Sequence, residues 1–139
     1  MDGGKCCGWD NHESGRVMAT KSKPNLSPLE DAECKAFVQY LEVLQSQGHD
    51  IIFSHMANET FTKSWKTKNR NKAMGVRSGL PDYIIIINGL VVWLEMKRKT
   101  GGVISATQKE WLERLASAGQ NVHVARGLDE AMEVIRGYL

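Results

Sequence analysis

Between Pro81 and Lys97 the chain reads as two apolar runs, Tyr83-Ile84-Ile85-Ile86-Ile87 and Leu90-Val91-Val92-Trp93-Leu94, split by Asn88-Gly89. Asn-Gly between β-rich runs predicts a two-residue hairpin with a type I′ turn, since both turn residues must take positive φ. The register follows from the turn. With Ile87 opposite Leu90, counting along both strands puts Asp82 opposite Glu95, and side-chain alternation points Lys97 to the same face as Glu95. Both hairpin faces are apolar, with Ile84, Ile86 and Val91 on one and Ile85, Ile87 and Val92 on the other, so helices are expected on each side.

The flanking pattern supplies those helices. Ser27-Pro28-Leu29-Glu30 has an N-cap serine, a proline at the first helical position and a capping-box glutamate, so a helix is expected to run to about Gln47 and stop at Gly48. Phe37, Leu41 and Leu44 share one of its faces, and Glu30 and Glu33 continue that face toward the N-terminal end. Ile51 to His55 reads as a short strand opening the sheet. After the hairpin comes a basic, Gly-containing turn, Lys97 to Gly102. Ser105 and Gln108 then form a capping box for a helix with Trp111, Leu112 and Leu115 as its apolar stripe and Gly119 as its stop. Asn121 to Ala125 returns as a strand, and a right-handed crossover places it parallel to the Glu95 strand. A closing helix from Leu128 to about Tyr138 completes an α/β chain of order αβββαβα, a mixed central sheet between helical layers. Met1 to Asn25 is Gly-rich and polar without periodicity, which predicts a flexible tail over 1–26 and a single domain over 27–139.

Composition fits that picture. A chain of 139 residues with 42% hydrophobic and 24% charged positions can bury one core. No apolar run approaches the ~20 residues of a membrane span, and no signal-peptide core is visible, so a cytoplasmic protein with no membrane partner is expected. An odd count of three cysteines in such a chain predicts reduced thiols. Cys6, Cys7 and His12 lack zinc-site spacing and a clear fourth ligand.

The net charge of +2 says little; its distribution says more. From Phe61 to Leu80 there is no acid, while Lys63, Lys66, Lys68, Arg70, Lys72 and Arg77 are basic. The segment reads as a loop delivering cations beside Asp82, where phosphate contacts give salt-sensitive affinity for DNA whatever its sequence. The bland alternative is a solvated loop. Trp65, within it, has two possible uses, stacking on an unpaired base or, more commonly for a tryptophan, anchoring the loop in the core.

Two acids facing across a ladder, with Cβ atoms roughly 5 Å apart, repel each other. A divalent cation offsets that repulsion, because Mg²⁺ takes oxygen ligands and often only one or two protein carboxylates, with water and substrate phosphate completing the set. Lys97 beside them can position or deprotonate an attacking water and stabilise charge developing on phosphorus. The plain alternative is a hairpin ending at a solvated edge, with an ion-pair cluster worth ~0–1 kcal/mol.

Pro81-Asp82 followed by Glu95-Met96-Lys97 resembles the PD-(D/E)XK nuclease superfamily. The fuller series, Gly75 to Asp82, then Trp93 to Lys97, then Ser105-Ala106-Thr107-Gln108, resembles a stand-alone VRR-NUC domain, the virus-type replication-repair nucleases, over roughly Leu29 to Leu139. The resemblance implies the restriction-endonuclease-like three-layer core and Mg²⁺- or Mn²⁺-dependent phosphodiester hydrolysis without a small-molecule cofactor. It also implies a metal ligand from a first-helix glutamate, for which Glu30 is the better candidate and Glu33 the other, with a capping-box acid as the plain alternative for Glu30. Gln108 becomes the family's final motif glutamine near the active centre, and Lys109 beside it a possible phosphate contact. His55 opens a His-x-x-Asn segment through Asn58 and contacts DNA or orients the site; a strand-end histidine is otherwise structural. Lys99 in the basic turn joins the DNA-binding set.

Stand-alone relatives, mostly from phages and bacteria, are thought to act as homodimers on four-way junctions. A phage-encoded chain would work in its host's cytoplasm. A homodimeric endonuclease for branched DNA is therefore expected, with flap or single-strand-end cleavage as the competing reading. A DNA-binding module without catalysis would need only the basic segment, and an α/β protein with neither activity is the third class.

Overall fold

In a computed structural model, residues 28–56 and 63–139 are described. The elements run α1 (Pro28–Ser46), β1 (Ile51–His55), α2 (Trp65–Ala73), β2 (Tyr83–Ile87), β3 (Leu90–Lys97), α3 (Ala106–Ser117), β4 (Asn121–Arg126) and α4 (Gly127–Arg136). The sheet order is β1-β2-β3-β4, antiparallel except for the parallel β3–β4 pair. This is the mixed α/β architecture expected from the sequence, with one added helix, α2.

The turn residues behave as their types require. Asn88 and Gly89 take φ of 50° and 79°, and Ile87 pairs with Leu90. That register puts Tyr83, Ile85, Ile87, Val92, Leu94 and Met96 on one face, where all six are buried with Phe37, Leu41 and Leu44 of α1 and Ala131 and Ile135 of α4. Gly48, in the left-handed region at φ 93°, ends α1 where the sequence places its stop.

The opposite face carries Ile84, Ile86, Val91, Trp93, Glu95 and Lys97, which alternation separates from the core residues. Gln108 of α3 reaches Glu95 and Lys97, so α3 lies on this side and makes the third layer. The layer is thinner than the two apolar hairpin faces suggest: no α3 residue is fully buried, and Ile84, Ile86, Val91 and Trp93 remain half-buried.

The segment expected to be a basic loop is in fact helical over Trp65–Ala73, capped by Ser64, whose side chain accepts from the Thr67 N–H. Periodicity could not reveal it, since α2 buries no residue and has no apolar stripe. Trp65 does not anchor this segment in the core; it is 75% exposed. Ser27, the 1–26 tail with Cys6 and Cys7, and Asn58 lie outside the described residues. Cys34 is a free thiol. Among the described residues no helix is long and apolar enough to cross a membrane.

Candidate active site

The hairpin register carries Asp82 to the mouth of β2, one residue before the ladder begins. Its backbone carbonyl accepts from the Met56 N–H at 2.6 Å, and its carboxylate Oδ2 accepts from the Met96 N–H at 2.8 Å. Two main-chain amides from the neighbouring strands therefore fix this acid, the second next in sequence to Glu95. Nothing in the sequence announces the Met96 contact, because any residue type has an amide.

Glu95 is the one buried charged residue among those described, 1% exposed on the α3 side of β3. Lys97 Nζ lies 2.8 Å from its Oε1, and Gln108 Nε2 donates to the same oxygen. Gln108 Oε1 in turn accepts from Lys97 Nζ and from the Ser105 N–H, both at 3.0 Å, while the Ser105 hydroxyl accepts from the Gln108 N–H. The capping box thus forms as its sequence predicts, and the same glutamine clamps the Glu95–Lys97 pair. Glu95 Oε2 is left buried with no hydrogen-bond partner.

Burial, and secondarily the facing Asp82 charge, pushes the Glu95 carboxyl up to about 7; the Lys97 contact opposes this without cancelling it. Burial also raises Asp82, opposed first by the Met96 hydrogen bond. Two acids held against their preference for water, one with an orphaned oxygen, fit a hard divalent cation. Among the described residues no group of three or more His, Cys, Asp or Glu is assembled for a metal, so the protein's share would be this carboxylate pair.

A family model described as the VRR-NUC domain matches residues 25–129, more than half of the chain. The chain belongs to the VRR-NUC family. Among solved structures, a "VRR_NUC domain protein" aligns with a TM-score of 0.63 at 22% identity, over 82% of this chain and 90% of its own. A second, titled "VRR_NUC domain", aligns with a TM-score of 0.57 at 20% identity, over 81% of this chain and all of its own. Both likenesses concern the fold. A search of curated proteins returns no match. VRR-NUC membership marks the chain as a nuclease domain.

The other residues picked out by sequence are distributed unevenly. Glu30 Oε2 sits 4.0 Å from Arg98 Nε and is not gathered into a three-acid cluster with Asp82 and Glu95. Glu33 is turned elsewhere, against Gly127 at the start of α4, where an added Cβ would meet its Oε1 at 3.2 Å. His55 is exposed, with its ring edge-on to Tyr83 at 5.0 Å. Lys63, Lys66, Lys68, Arg70 and Lys72 are all exposed, the last four on α2. Arg77 is exposed too, but its guanidinium donates to the Lys72 carbonyl at 3.2 Å, closing the α2 C-terminus. Lys99 Nζ is 3.8 Å from Asp129 Oδ2, and Lys109 Nζ is 4.0 Å from Glu113 Oε1, both exposed pairs.

One positioning residue escaped the sequence reading. Gly79 has φ 88°, and a Cβ there would stand 2.7 Å from Thr107 Cγ2 and 3.1 Å from the Thr107 carbonyl carbon. Close approach at Gly79 seats the Leu80-Pro81-Asp82 lead-in on the first turn of α3, the helix that carries Gln108. A glycine two residues before Pro-Asp was the available signal.

Proposed function

We propose that the chain is a metal-dependent DNA endonuclease whose centre is Asp82, Glu95 and Lys97, with Gln108 as positioning residue. The observation that carries this is Glu95: fully buried, facing a second carboxylate, with Oε2 unpartnered. Its other oxygen is held by lysine and glutamine.

Asp82 and Glu95 would hold Mg²⁺ or Mn²⁺, which supplies Lewis-acid polarisation of the scissile phosphate. Gln108 and Lys97 tie up Glu95 Oε1, so the buried Oε2 would be the oxygen left for the metal. Lys97, gripped by Glu95 and Gln108, keeps donor capacity for the attacking water and for charge that develops on the phosphate oxygens as the P–O bond breaks. The exposed cations of α2 hold flanking phosphates and fix the strand relative to Asp82.

The finer reading is a homodimer acting on branched DNA. A four-way junction is resolved by two paired cuts, which a C₂ dimer presents as two symmetry-related centres. Flap or single-strand-end cleavage is the competing substrate class, and a DNA-binding module without catalysis the competing function.

Labelled four-way junction, flap and linear duplex, incubated with the protein with and without Mg²⁺, separate these readings. Metal-dependent, paired symmetric nicks in the junction, with a dimeric mass by light scattering, are expected. A monomer that cuts only flaps and ends overturns the dimer, and a salt-sensitive gel shift without cleavage under any divalent metal overturns the nuclease.

A further inference from the structure

α2 is unusual for a helix in a domain of this size. None of its residues is buried, and it carries Lys66, Lys68, Arg70 and Lys72 on nine residues with no acid. A helix that buries no side gains nothing from packing, which is where most helical stability ordinarily comes from. Yet its flank exposes apolar surface: Trp65 at 75%, Met74 at 69% and Val76 at 46%. A singly exposed hydrophobic residue is ordinary. Three within twelve positions of an acid-free, cationic segment are a composition, and the tryptophan is the largest apolar side chain the protein could have hidden.

Position adds to this. α2 follows the end of β1 at His55 and leads to the start of β2, through Pro81 and Asp82. With β1 and β2 antiparallel, His55 paired to Tyr83 and β3 ending at Lys97, all of these lie at one end of the sheet. The arm therefore springs from the rim of the candidate active site on both sides. Helical spacing places Lys68, Asn69 and Lys72 on the Trp65 face, three, four and seven residues along.

We propose that α2 is a strand-engaging arm in which Trp65 stacks on an unpaired base while Lys68 and Lys72, on the same helix face, hold the adjoining phosphates. This gives the nuclease its preference for branched or frayed DNA over continuous duplex; the proposal rests on the nuclease reading and names its specificity element. The pairing of an aromatic platform with a cationic track is the chemistry of single-strand binding, because every base offers a π-face and every nucleotide a phosphate. Continuous duplex has its bases stacked on one another and offers the indole no face. The occupant is thus an unpaired nucleotide, with phosphate contacts alone left for duplex.

The test reads binding, not cleavage. Fluorescence anisotropy in EDTA is measured for the full chain on a four-way junction, a single-stranded oligonucleotide and an uninterrupted duplex, with 2-aminopurine at the branch point as a second probe. Trp65→Ala should weaken the single strand and junction by ~5- to 100-fold, the range for removing one aromatic platform. Duplex affinity and the salt slope should be unchanged, and the 2-aminopurine signal of the wild type should be lost. Trp65→Phe should keep most of the preference. Because Trp65 is exposed, the melting temperature of Trp65→Ala should match the wild type, which separates stacking from a folding role.

Equal loss on all three ligands, or none on any, overturns the proposal. So does Trp65-dependent binding to anionic lipid vesicles with DNA binding untouched, the outcome if this flank is a membrane-facing surface. A wild type that cleaves junctions while Trp65→Ala binds them equally well removes the arm and leaves the nuclease standing; a wild type that neither binds nor cleaves DNA removes both.

Discussion

Replacing Glu95 by glutamine should stabilise the metal-free protein, and increasingly so as pH rises. Glutamine has the size and hydrogen-bonding capacity of a protonated glutamate, so the variant stands for the neutral state of a group that is 1% exposed and faces Asp82. The carboxyl moves from 4.5 to about 7 on folding, chiefly through burial and next through the Asp82 charge. At 1.36 kcal/mol per unit, the fold disfavours the ionised form by about 3 kcal/mol. A raised carboxyl contributes stability that is complete below pH 4.5 and lost as pH climbs through 7, because the unfolded chain ionises first. Wild type and Glu95→Gln should therefore differ by less than about 1 kcal/mol at pH 5 and by about 3 kcal/mol at pH 8, on the order of 10 °C in Tm for a chain of this length. Thermal melts of both proteins in EDTA at pH 5, 6, 7 and 8 measure it. A gap that is constant with pH, or that widens toward acid, would refute the claim that Glu95 is held in the fold as an ill-solvated acid.

Gly79→Ala should destabilise the protein by about 2 kcal/mol or more, because its Cβ meets Thr107 and its φ is positive, and should depress any Asp82-dependent activity more than Gly75→Ala, where the added Cβ meets nothing within 4 Å. Paired melts and metal titrations check this. Gln108→Glu keeps an acceptor for Ser105 and Lys97 but replaces the donor to Glu95 with a like charge, so the alkaline rise of the metal-binding profile should move to higher pH; an unmoved profile in Mn²⁺ calorimetry would contradict the clamp. Neutralising Lys66, Lys68 and Arg70 together should lower DNA affinity on all sequences and reduce the salt slope by up to about 3, read from binding at several salt concentrations.

Much of this site could be read from the chain because its signals are local. Asn88-Gly89 fixes a turn type, the turn fixes a register, and the register alone brings Asp82 opposite Glu95. Ser105 and Gln108 predict a helix start for the same reason, as does Gly48 a helix stop. What was not legible lies in contacts without a residue signature: the Met96 amide on Asp82, the second hydrogen bond that turns Gln108 from a cap into a clamp, the tight seat of Gly79 on Thr107. α2 was missed for the opposite reason. Its formation owes nothing to an apolar face, so periodicity has nothing to detect, and Trp65, exposed at its first position, departs from the burial habit of tryptophan. Glu30 and Glu33 show a further limit: both lie on the face that continues toward the site, yet one meets Arg98 and the other Gly127, a difference set by tertiary packing.

The most direct measurement is single-turnover cleavage of an end-labelled four-way junction in Mn²⁺ and in EDTA, by the wild type and by Asp82→Asn, Glu95→Gln and Lys97→Ala. The account predicts metal-dependent cutting by the wild type and loss of at least about 100-fold in each variant, as expected when an electrostatic partner of the transition state is removed. The glutamine variant should at the same time be more stable than the wild type at pH 8. Cleavage that persists in EDTA, or near wild-type turnover in any one of the three variants, would contradict it.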